Sequence, residues 1–188
     1  MAVSAPAKRV ASKKVSETFN LSASSMTVAN TDLYGGKICA ALDRQHPRDL
    51  FDIKILLENE GVTPEIRKAF IVYLAGHSRP MHEVFDPSRL EIETLFKDGF
   101  QGMTDEAVTL DELKDARERL IALLKKDLSG AEKAFLVSLK EGAPDWKLLD
   151  VPGVDRLPAI QWKLRNIRKM DAGKRQEQLK RLKDKLGF

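Results

Sequence analysis

Apolar residues recur every three or four positions along most of the chain, which is the spacing of amphipathic α-helices. Several of these segments open with helix-start signals, either a proline or a Ser/Thr-x-x-Glu capping box. The boxes are Thr109-x-x-Glu112 and Ser129-x-x-Glu132. We expect helices that begin near Asp32, Pro47, Pro64, Ser88, Thr109, Ser129, Pro158 and Asp171.

The first 31 residues lack this periodicity. Residues 1–14 consist largely of Ala, Ser, Lys and Val and predict a disordered basic tail. Residues 15–31 are rich in Ser and Thr, with a short strand predicted at Met26–Ala29 that has no partner in the chain. The predicted fold is therefore mainly α: a multi-helix domain of about eight helices with a disordered or loosely attached N-terminus and at most one short strand.

Gly35 and Gly36 interrupt the first predicted helix. Each glycine costs a helix interior roughly 1 kcal/mol relative to alanine. We therefore expect a reason for them, such as the close approach of another backbone or of a ligand.

Composition narrows the class of protein. Apolar residues make up 43 % of the chain, but no apolar run is long enough for a membrane span. No apolar segment follows the basic N-terminus, so a secretory signal is not predicted, although a mitochondrial-type presequence stays open. Cys39 is the one cysteine, which excludes an internal disulfide and fits a reducing compartment, most simply the cytoplasm.

The net charge of +4 is unevenly distributed. Residues 1–14 carry +4 and residues 163–188 carry +7, so the segment between them carries −7. Basic ends attract phosphate-rich partners. The alternative is that these charges only lie on solvent-exposed helix faces and a tail, without a binding partner.

The densest polar cluster spans residues 34–52. Lys37 and Arg44 are seven residues apart and share a helix face, and Arg48 and Asp52 share a face of the next helix. Two helices joined at Pro47 pack closely, so these side chains could form a triphosphate cradle, with Asp52 orienting Lys37 or serving as a base. The alternative is an ordinary surface ion pair between Arg48 and Asp52.

Other chemistry has weaker signals. His77 and His82 make a poor metal site, and we predict no metal ligands in this chain. No Gly-rich phosphate loop and no Gly-Ser followed by Asp-x-Asp occurs, so a two-metal transfer centre cannot be assembled. Trp146 and Trp162 are expected to be core anchors.

Residues 32–61, with the sequence DLYGGKICAALDRQHPRDLFDIKILLENEG, resemble the AbiEii/AbiGii family of nucleotidyltransferase toxins. Residues 131–149 and 157–170 are similar to the C-terminal region of that family. The resemblance implies a polymerase-β-like transferase that uses an NTP and Mg²⁺ and acts in a toxin–antitoxin or phage-defence pair. By resemblance, Lys37 matches the lysine near the NTP, Asp52 the later catalytic aspartate, and Arg44 and Arg48 basic positions of the motif.

The chain departs from that pattern because its sequence shows none of the magnesium-ligand motifs of the N-terminal core, and we expect that core to be missing. The resemblance implies that residues 15–31 are a remnant of the core and that residues 32–188 form the helical domain. A truncated member of this kind is expected to bind no cofactor alone and to be inactive, while Mg²⁺ and NTP belong to the complete family enzyme.

Three hypotheses about function remain open. In the first, the chain is the NTP-binding helical part of the transferase, and basic C-terminal residues attract an RNA acceptor such as tRNA: Lys163, Arg165, Lys180, Arg181 and Lys183. In the second, the chain is a non-catalytic interaction protein that binds an antitoxin or a separately encoded catalytic half. A helical domain without activity is a third reading.

Overall fold

The computed structural model describes residues 4–105 and 107–188, and these residues are mainly helical, as predicted. In chain order the elements are β1 (Ala7–Val10), α1 (Lys13–Phe19), β2 (Ser24–Thr27), α2 (Asn30–Arg44), α3 (Pro47–Glu58), α4 (Pro64–Gly76), α5 (Met81–Phe85), α6 (Glu93–Gly99), α7 (Leu110–Asp127), α8 (Gly130–Glu141), α9 (Pro158–Lys169) and α10 (Ala172–Leu186). Two 3₁₀ turns, Trp146–Leu148 and Val154–Arg156, join α8 to α9.

The helix-start signals form the caps that their sequences predict. Both capping boxes are complete: the Thr109 and Ser129 side chains accept from the backbone three residues on, and Glu112 and Glu132 reach back to the cap. Proline occupies the first turn of α3, α4 and α9. Each cap satisfies backbone N–H groups that have no partner inside the helix.

The core is built around α4. Phe70, Ile71, Val72 and Leu74 of this helix are fully buried. The most extensive packing between two elements is that of α2 against α4, and α3 packs against α2 and α7. A Cβ atom added at Gly35 would lie 2.8 Å from both Cβ of Ala69 and the backbone N of Phe70. The close approach of α4 therefore explains why α2 contains a glycine here despite the loss of helix stability.

The N-terminal segment differs from the prediction. Two antiparallel strands are present instead of at most one, with Ala7 opposite Thr27 and Val10 opposite Ser24. The predicted strand at residues 26–29 has shifted to 24–27, and its partner comes from the segment expected to be a disordered tail. Residues 1–3 of that tail lie outside the described residues. The strands are almost entirely exposed, in keeping with loose attachment.

Hydrogen bonds anchor this segment to α2. The backbone N–H of Ser4 donates to Oδ2 of the buried Asp32 at 2.6 Å, and Arg9 donates to Oδ1 of Asn30 at 2.6 Å. Tyr73 of α4 also donates to Asp32, at 3.2 Å. The start of α2 is therefore where the N-terminal strands and the helical core meet.

The charged C-terminal helix packs on the body of the protein. Leu179, Leu182 and Leu186 of α10 are buried, and the helix contacts α5 and α8. The ammonium of Lys185 donates to the carbonyl oxygen of Asp86. Among the described helices, none is both long and apolar enough to cross a membrane.

Candidate functional site

The joint between α2 and α3 brings the two helices together. Gln45 ends α2 in the left-handed conformation, at φ 50°, and His46 then accepts a hydrogen bond from the backbone N–H of Arg48 at 3.2 Å. Pro47 starts α3 immediately afterwards. This short connection makes α2 and α3 direct neighbours, as the sequence predicted.

Two ion pairs cross from α2 to α3. The ammonium of Lys37 donates to Oδ2 of Asp52, and the guanidinium of Arg44 donates to Oδ1 of Asp49 at 2.7 Å. The side chains of Lys37 and Asp52 are 32 % and 38 % exposed, so this pair can be reached from solvent. We call these four residues the α2–α3 seam.

Asp49 gives the seam an additional acceptor. Its Oδ2 atom is buried and has no hydrogen-bond partner among the described residues, although Oδ1 is held by Arg44. A buried carboxylate oxygen without a donor is unfavourable by roughly 1–3 kcal/mol or more. An acidic residue in the first turn of a helix is ordinary, so nothing in the sequence predicted this feature.

Arg48 does not form the ion pair with Asp52 that was considered as an alternative, because Asp52 is engaged by Lys37. Arg48 donates instead to the carbonyl oxygen of Gly99 at 3.2 Å and to Sδ of Met103 at 3.3 Å. The structure thus brings Lys37, Arg44 and Asp52 to the seam, while Arg48 ties α3 to the last residue of α6 and to the chain that follows it.

Tyr34, the first residue of the polar cluster at residues 34–52, and Arg9 also lie near the seam, and the sequence assigned neither of them a role there. Burial raises the pKa of Tyr34, as do a hydrogen bond with Glu60 and the charge of Asp52, while Arg9 opposes this rise. The phenol is therefore neutral at pH 7. Tyr34 could have been found, since it precedes Lys37 by one helical turn. Arg9 comes from β1, and no local signal predicts its place.

The basic C-terminal residues have different surroundings. Lys163 is buried and donates to the carbonyl oxygens of His77 and Arg79 at 2.7 and 2.6 Å. It is not on the surface where an RNA contact was expected. Arg165 and Lys180 are exposed. Arg181 pairs with Glu177 at 2.5 Å, and Lys183 lies 3.6 Å from Glu141.

The two tryptophans also differ in their surroundings. Trp146 packs against Phe135 with ring centroids 5.9 Å apart and is a core anchor, as predicted. Trp162 is 55 % exposed, so the same prediction is wrong for this residue. It lies one turn before Arg165 on α9, which places an aromatic ring beside an exposed cation.

No group of three or more His, Cys, Asp or Glu side chains in residues 4–105 and 107–188 could hold a metal ion. His77 lies 3.5 Å from Asp43, and His82 lies 3.9 Å from Glu83. Burial is the main cause that lowers the pKa of both histidines, which are therefore neutral at pH 7. The residues described here do not fit the two-magnesium centre of a nucleotidyltransferase.

Comparison with known proteins identifies the family. A family model described as "Nucleotidyl transferase AbiEii toxin, Type IV TA system" matches residues 2–166, a range that contains the α2–α3 seam and ends before α10. No curated protein matches the chain, and no solved structure does. With most of its length matched, the chain belongs to the AbiEii family of nucleotidyl transferase toxins of type IV toxin–antitoxin systems.

Proposed function

We propose that this chain is the part of an AbiEii-type nucleotidyltransferase that binds the phosphates of the NTP. The observation that carries the proposal is the half-exposed Lys37–Asp52 ion pair between α2 and α3. It lies in a chain whose family transfers nucleotides. Lys37 and Arg44 contact the phosphates, and Asp52 and Asp49 hold these two cations in position.

The geometry leaves donors for a ligand. An ammonium group has three N–H donors, and Asp52 accepts one of those of Lys37. A guanidinium has five, and Asp49 accepts one of those of Arg44. Because both cations are already held by carboxylates, less side-chain freedom is lost when a phosphate binds. Arg48, bound to Gly99 and Met103, supports the fold of this region in our proposal and does not contact phosphate.

Transfer itself requires groups beyond the seam. A transferring phosphoryl group is stabilised by metal ions, and the described residues contain no acid cluster that fits them. We therefore propose that the magnesium-binding acids are supplied from outside the described residues. The chain alone then binds NTP and has no transferase activity.

A titration of the chain with ATP and GTP, with and without Mg²⁺, tests phosphate binding. Charge-assisted hydrogen bonds contribute about 1.5–3 kcal/mol, so Lys37→Ala is expected to weaken binding about 10- to 100-fold. Lys97→Ala is the matched control, because Lys97 also pairs with an acid, Glu93, at 2.8 Å on exposed α6. Absence of NTP binding by the unmodified chain, or equal losses in both variants, would contradict the proposal.

The acceptor in this proposal is RNA. Positive charge on α9 and α10 comes from the exposed Arg165, Lys180 and Arg181 and the partly exposed Lys183. The exposed Trp162 supplies a ring on which a base can stack. Lys163 is left out of this surface because it is buried.

A second candidate function is favoured by the N-terminal segment. Val10, Phe19, Leu21 and Met26 are between 62 % and 67 % exposed, and a two-stranded sheet is marginally stable by itself. Such a surface suits a protein partner, either the antitoxin or a separately encoded catalytic half. Co-expression with each neighbouring reading frame tests this idea. Phe19→Ser with Leu21→Ser is expected to abolish co-purification, whereas Trp162→Ser is not.

A further inference from the structure

The hydrogen-bond pattern of the sheet shows which backbone groups of β2 point outward. The backbone N–H of Ala11 donates to the carbonyl oxygen of Ala23 at 2.8 Å, which makes these opposed residues a hydrogen-bonded pair. Hydrogen-bonded and non-hydrogen-bonded pairs alternate along an antiparallel ladder, so Ser24 and Met26 belong to pairs of the second kind. Both residues therefore direct their backbone N–H and C=O groups away from β1.

This outer edge of β2 is open to solvent. Ser24, Ser25 and Met26 are all exposed. Within residues 4–105 and 107–188, the outward groups receive one local hydrogen bond, from the Ser25 hydroxyl to the Met26 carbonyl oxygen at 3.3 Å. A row of unpaired backbone groups is a template to which another strand can add. Such an addition stabilises a sheet that has only two strands and is marginally stable by itself.

The outer edge of β1 is protected against pairing with its own copy. It directs the backbone groups of Lys8 and Val10 outward, and the antiparallel register that uses both residues places Arg9 directly opposite the Arg9 of a second copy. The Cα atoms of two residues opposed in this way are about 4.5 Å apart, and like charges at such positions are destabilising. Charged side chains on an edge strand commonly prevent this kind of association.

The outer edge of β2 has no such charge. In the register that uses both outward residues, Ser24 pairs with Met26 of the second copy, and Ser25 lies opposite its own copy on the two-fold axis. The two β1 strands are then three strand spacings apart, or about 14 Å. This separation exceeds the screening length of about 8 Å at physiological ionic strength, so the basic side chains of the two copies repel each other only weakly.

The same pairing gives exposed apolar side chains new neighbours. Val10 and Met26 are 67 % and 62 % exposed, and both lie on one face of the sheet because both belong to non-hydrogen-bonded pairs. The Met26 residues of the two copies become diagonal neighbours, which long side chains can bridge. The four apolar side chains of the two copies thus share one face of a four-stranded sheet.

We propose that two copies of this chain associate by antiparallel pairing of their β2 strands, with Ser25 on the two-fold axis. The inference goes beyond the proposed function, because it involves neither the α2–α3 seam nor the RNA surface. The basic β1 strands form both outer edges of the shared sheet, so the assembly closes at two copies. A contact between strands of 4 residues is small compared with a standard interface of about 1,600 Å², so the dimer is weak and depends on concentration.

Sedimentation velocity of the full chain between roughly 5 and 500 µM measures the association. Ser24→Pro removes an outward N–H donor and keeps the hydrogen bonds between β1 and β2, so it is expected to weaken the dimer roughly tenfold or more. Val10→Pro is the matched control, because it removes the corresponding donor from the opposite edge and is expected to leave the association unchanged. Amide chemical shifts of Ala7 and Thr27 establish that the ladder is intact in each variant.

Cross-linking tests the register independently of the proline variants. Ser25→Cys places two thiols opposite each other with Cα atoms about 4.5 Å apart, a separation that a disulfide can span. Oxidised glutathione is expected to convert this variant into a covalent dimer. Ser24→Cys is the control, because its copy lies diagonally across the axis at about 7–8 Å, and the buried Cys39 is common to both variants.

A chain that stays monomeric over the whole concentration range overturns the inference. A dimer that Ser24→Pro leaves intact, or that Val10→Pro weakens equally, also overturns it, since the contact then lies elsewhere. Equal cross-linking at residues 24 and 25 contradicts the proposed pairing, whereas cross-linking confined to residue 25 supports it.

Discussion

Lys163 lies on the buried face of α9, although the run of basic residues around it suggested a surface position. The spacing contained the signal: Ile160, Lys163, Leu164 and Ile167 follow the i, i+3, i+4, i+7 pattern of a single helix face. The three apolar members are buried, and Lys163 is buried with them. The number of basic residues on α9 is therefore larger than the number that can contact a binding partner.

Burial of Lys163 predicts a pH dependence of stability. Desolvation, helped by the charge of Lys140 and opposed by that of Glu83, lowers the pKa of Lys163 to about 8. The unfolded chain keeps this lysine protonated up to about pH 10.4. Between these values the unfolded state binds more protons, so the contribution of Lys163 to the free energy of unfolding rises with pH.

The expected result is that wild-type stability, relative to Lys163→Met, increases by about 2–3 kcal/mol from pH 7 to pH 10. Urea unfolding of both proteins at several pH values measures this difference. Lys169→Met, at an exposed position of the same helix, is expected to show no such trend. Parallel pH profiles for wild type and Lys163→Met would refute the assignment.

At the scale of elements, the sequence predicted best where the signal is local. Capping boxes and first-turn prolines set the starts of α3, α4, α7, α8 and α9, because their hydrogen bonds span only a few residues. Pairing of β1 with β2 joins residues up to 20 apart, Ala7 and Thr27, without an alternating apolar pattern. The sequence therefore predicted a strand without its partner.

The same reasoning applies to the candidate site. Lys37, Arg44 and Asp52 could be placed together because a short joint brings two helices side by side. The direction of Arg48 depends on where α6 lies, and α6 comes 45 residues later in the chain. The approach of Tyr73 and His77 to α2 likewise has no local signature in the sequence.

Gly35 and Gly36 provide an element-scale prediction, because neighbouring glycines have different surroundings. A methyl group at Gly35 would lie 2.8 Å from the backbone of α4, whereas one at Gly36 has 3.6 Å of space. Gly35→Ala is expected to destabilise the protein by about 1–3 kcal/mol through overpacking. Gly36→Ala is expected to stabilise it by about 0.5–1 kcal/mol through helix propensity.

Thermal or urea unfolding of the two variants measures this contrast. Each variant is the control of the other, since they differ only in which face of α2 receives the methyl group. Equal effects of the two substitutions would show that α2 and α4 are not in close contact at Gly35.

At the scale of the whole molecule, the charge is separated along the chain and α10 carries much of the positive charge. This helix is anchored to α5 and α8 by buried leucines, so its basic face is held in a fixed position. It lies beyond residue 166, where the family match ends. An RNA contact here would therefore belong to this chain and not follow from the family match.

Reversal of these charges tests the RNA surface. The triple variant Lys180→Glu, Arg181→Glu, Lys183→Glu is expected to weaken RNA binding. The plot of log K against log salt is expected to become less steep, its negative slope shrinking in magnitude by about 2, since each phosphate contact contributes roughly 0.7–0.9. A filter-binding series between low and moderate salt measures both quantities.

The matched control reverses Lys114, Arg119 and Lys126 on α7, which changes the net charge by the same amount. An equal loss of RNA binding in the control would show that net charge alone governs the interaction. No RNA binding by the unmodified chain at low salt would remove the RNA acceptor from the proposed function.

The bond between Lys185 and the Asp86 carbonyl joins residues 99 positions apart, and this affects how the protein folds during translation. At about 5–20 residues per second, the ribosome needs roughly 5–20 s to proceed from one partner to the other. Throughout that interval the surface of α5 that receives α10 remains uncovered, and the surface of α8 is uncovered from the time α8 is made until α10 packs on it. Newly made chains are therefore most exposed to chaperones and proteases just before the last helix is synthesised.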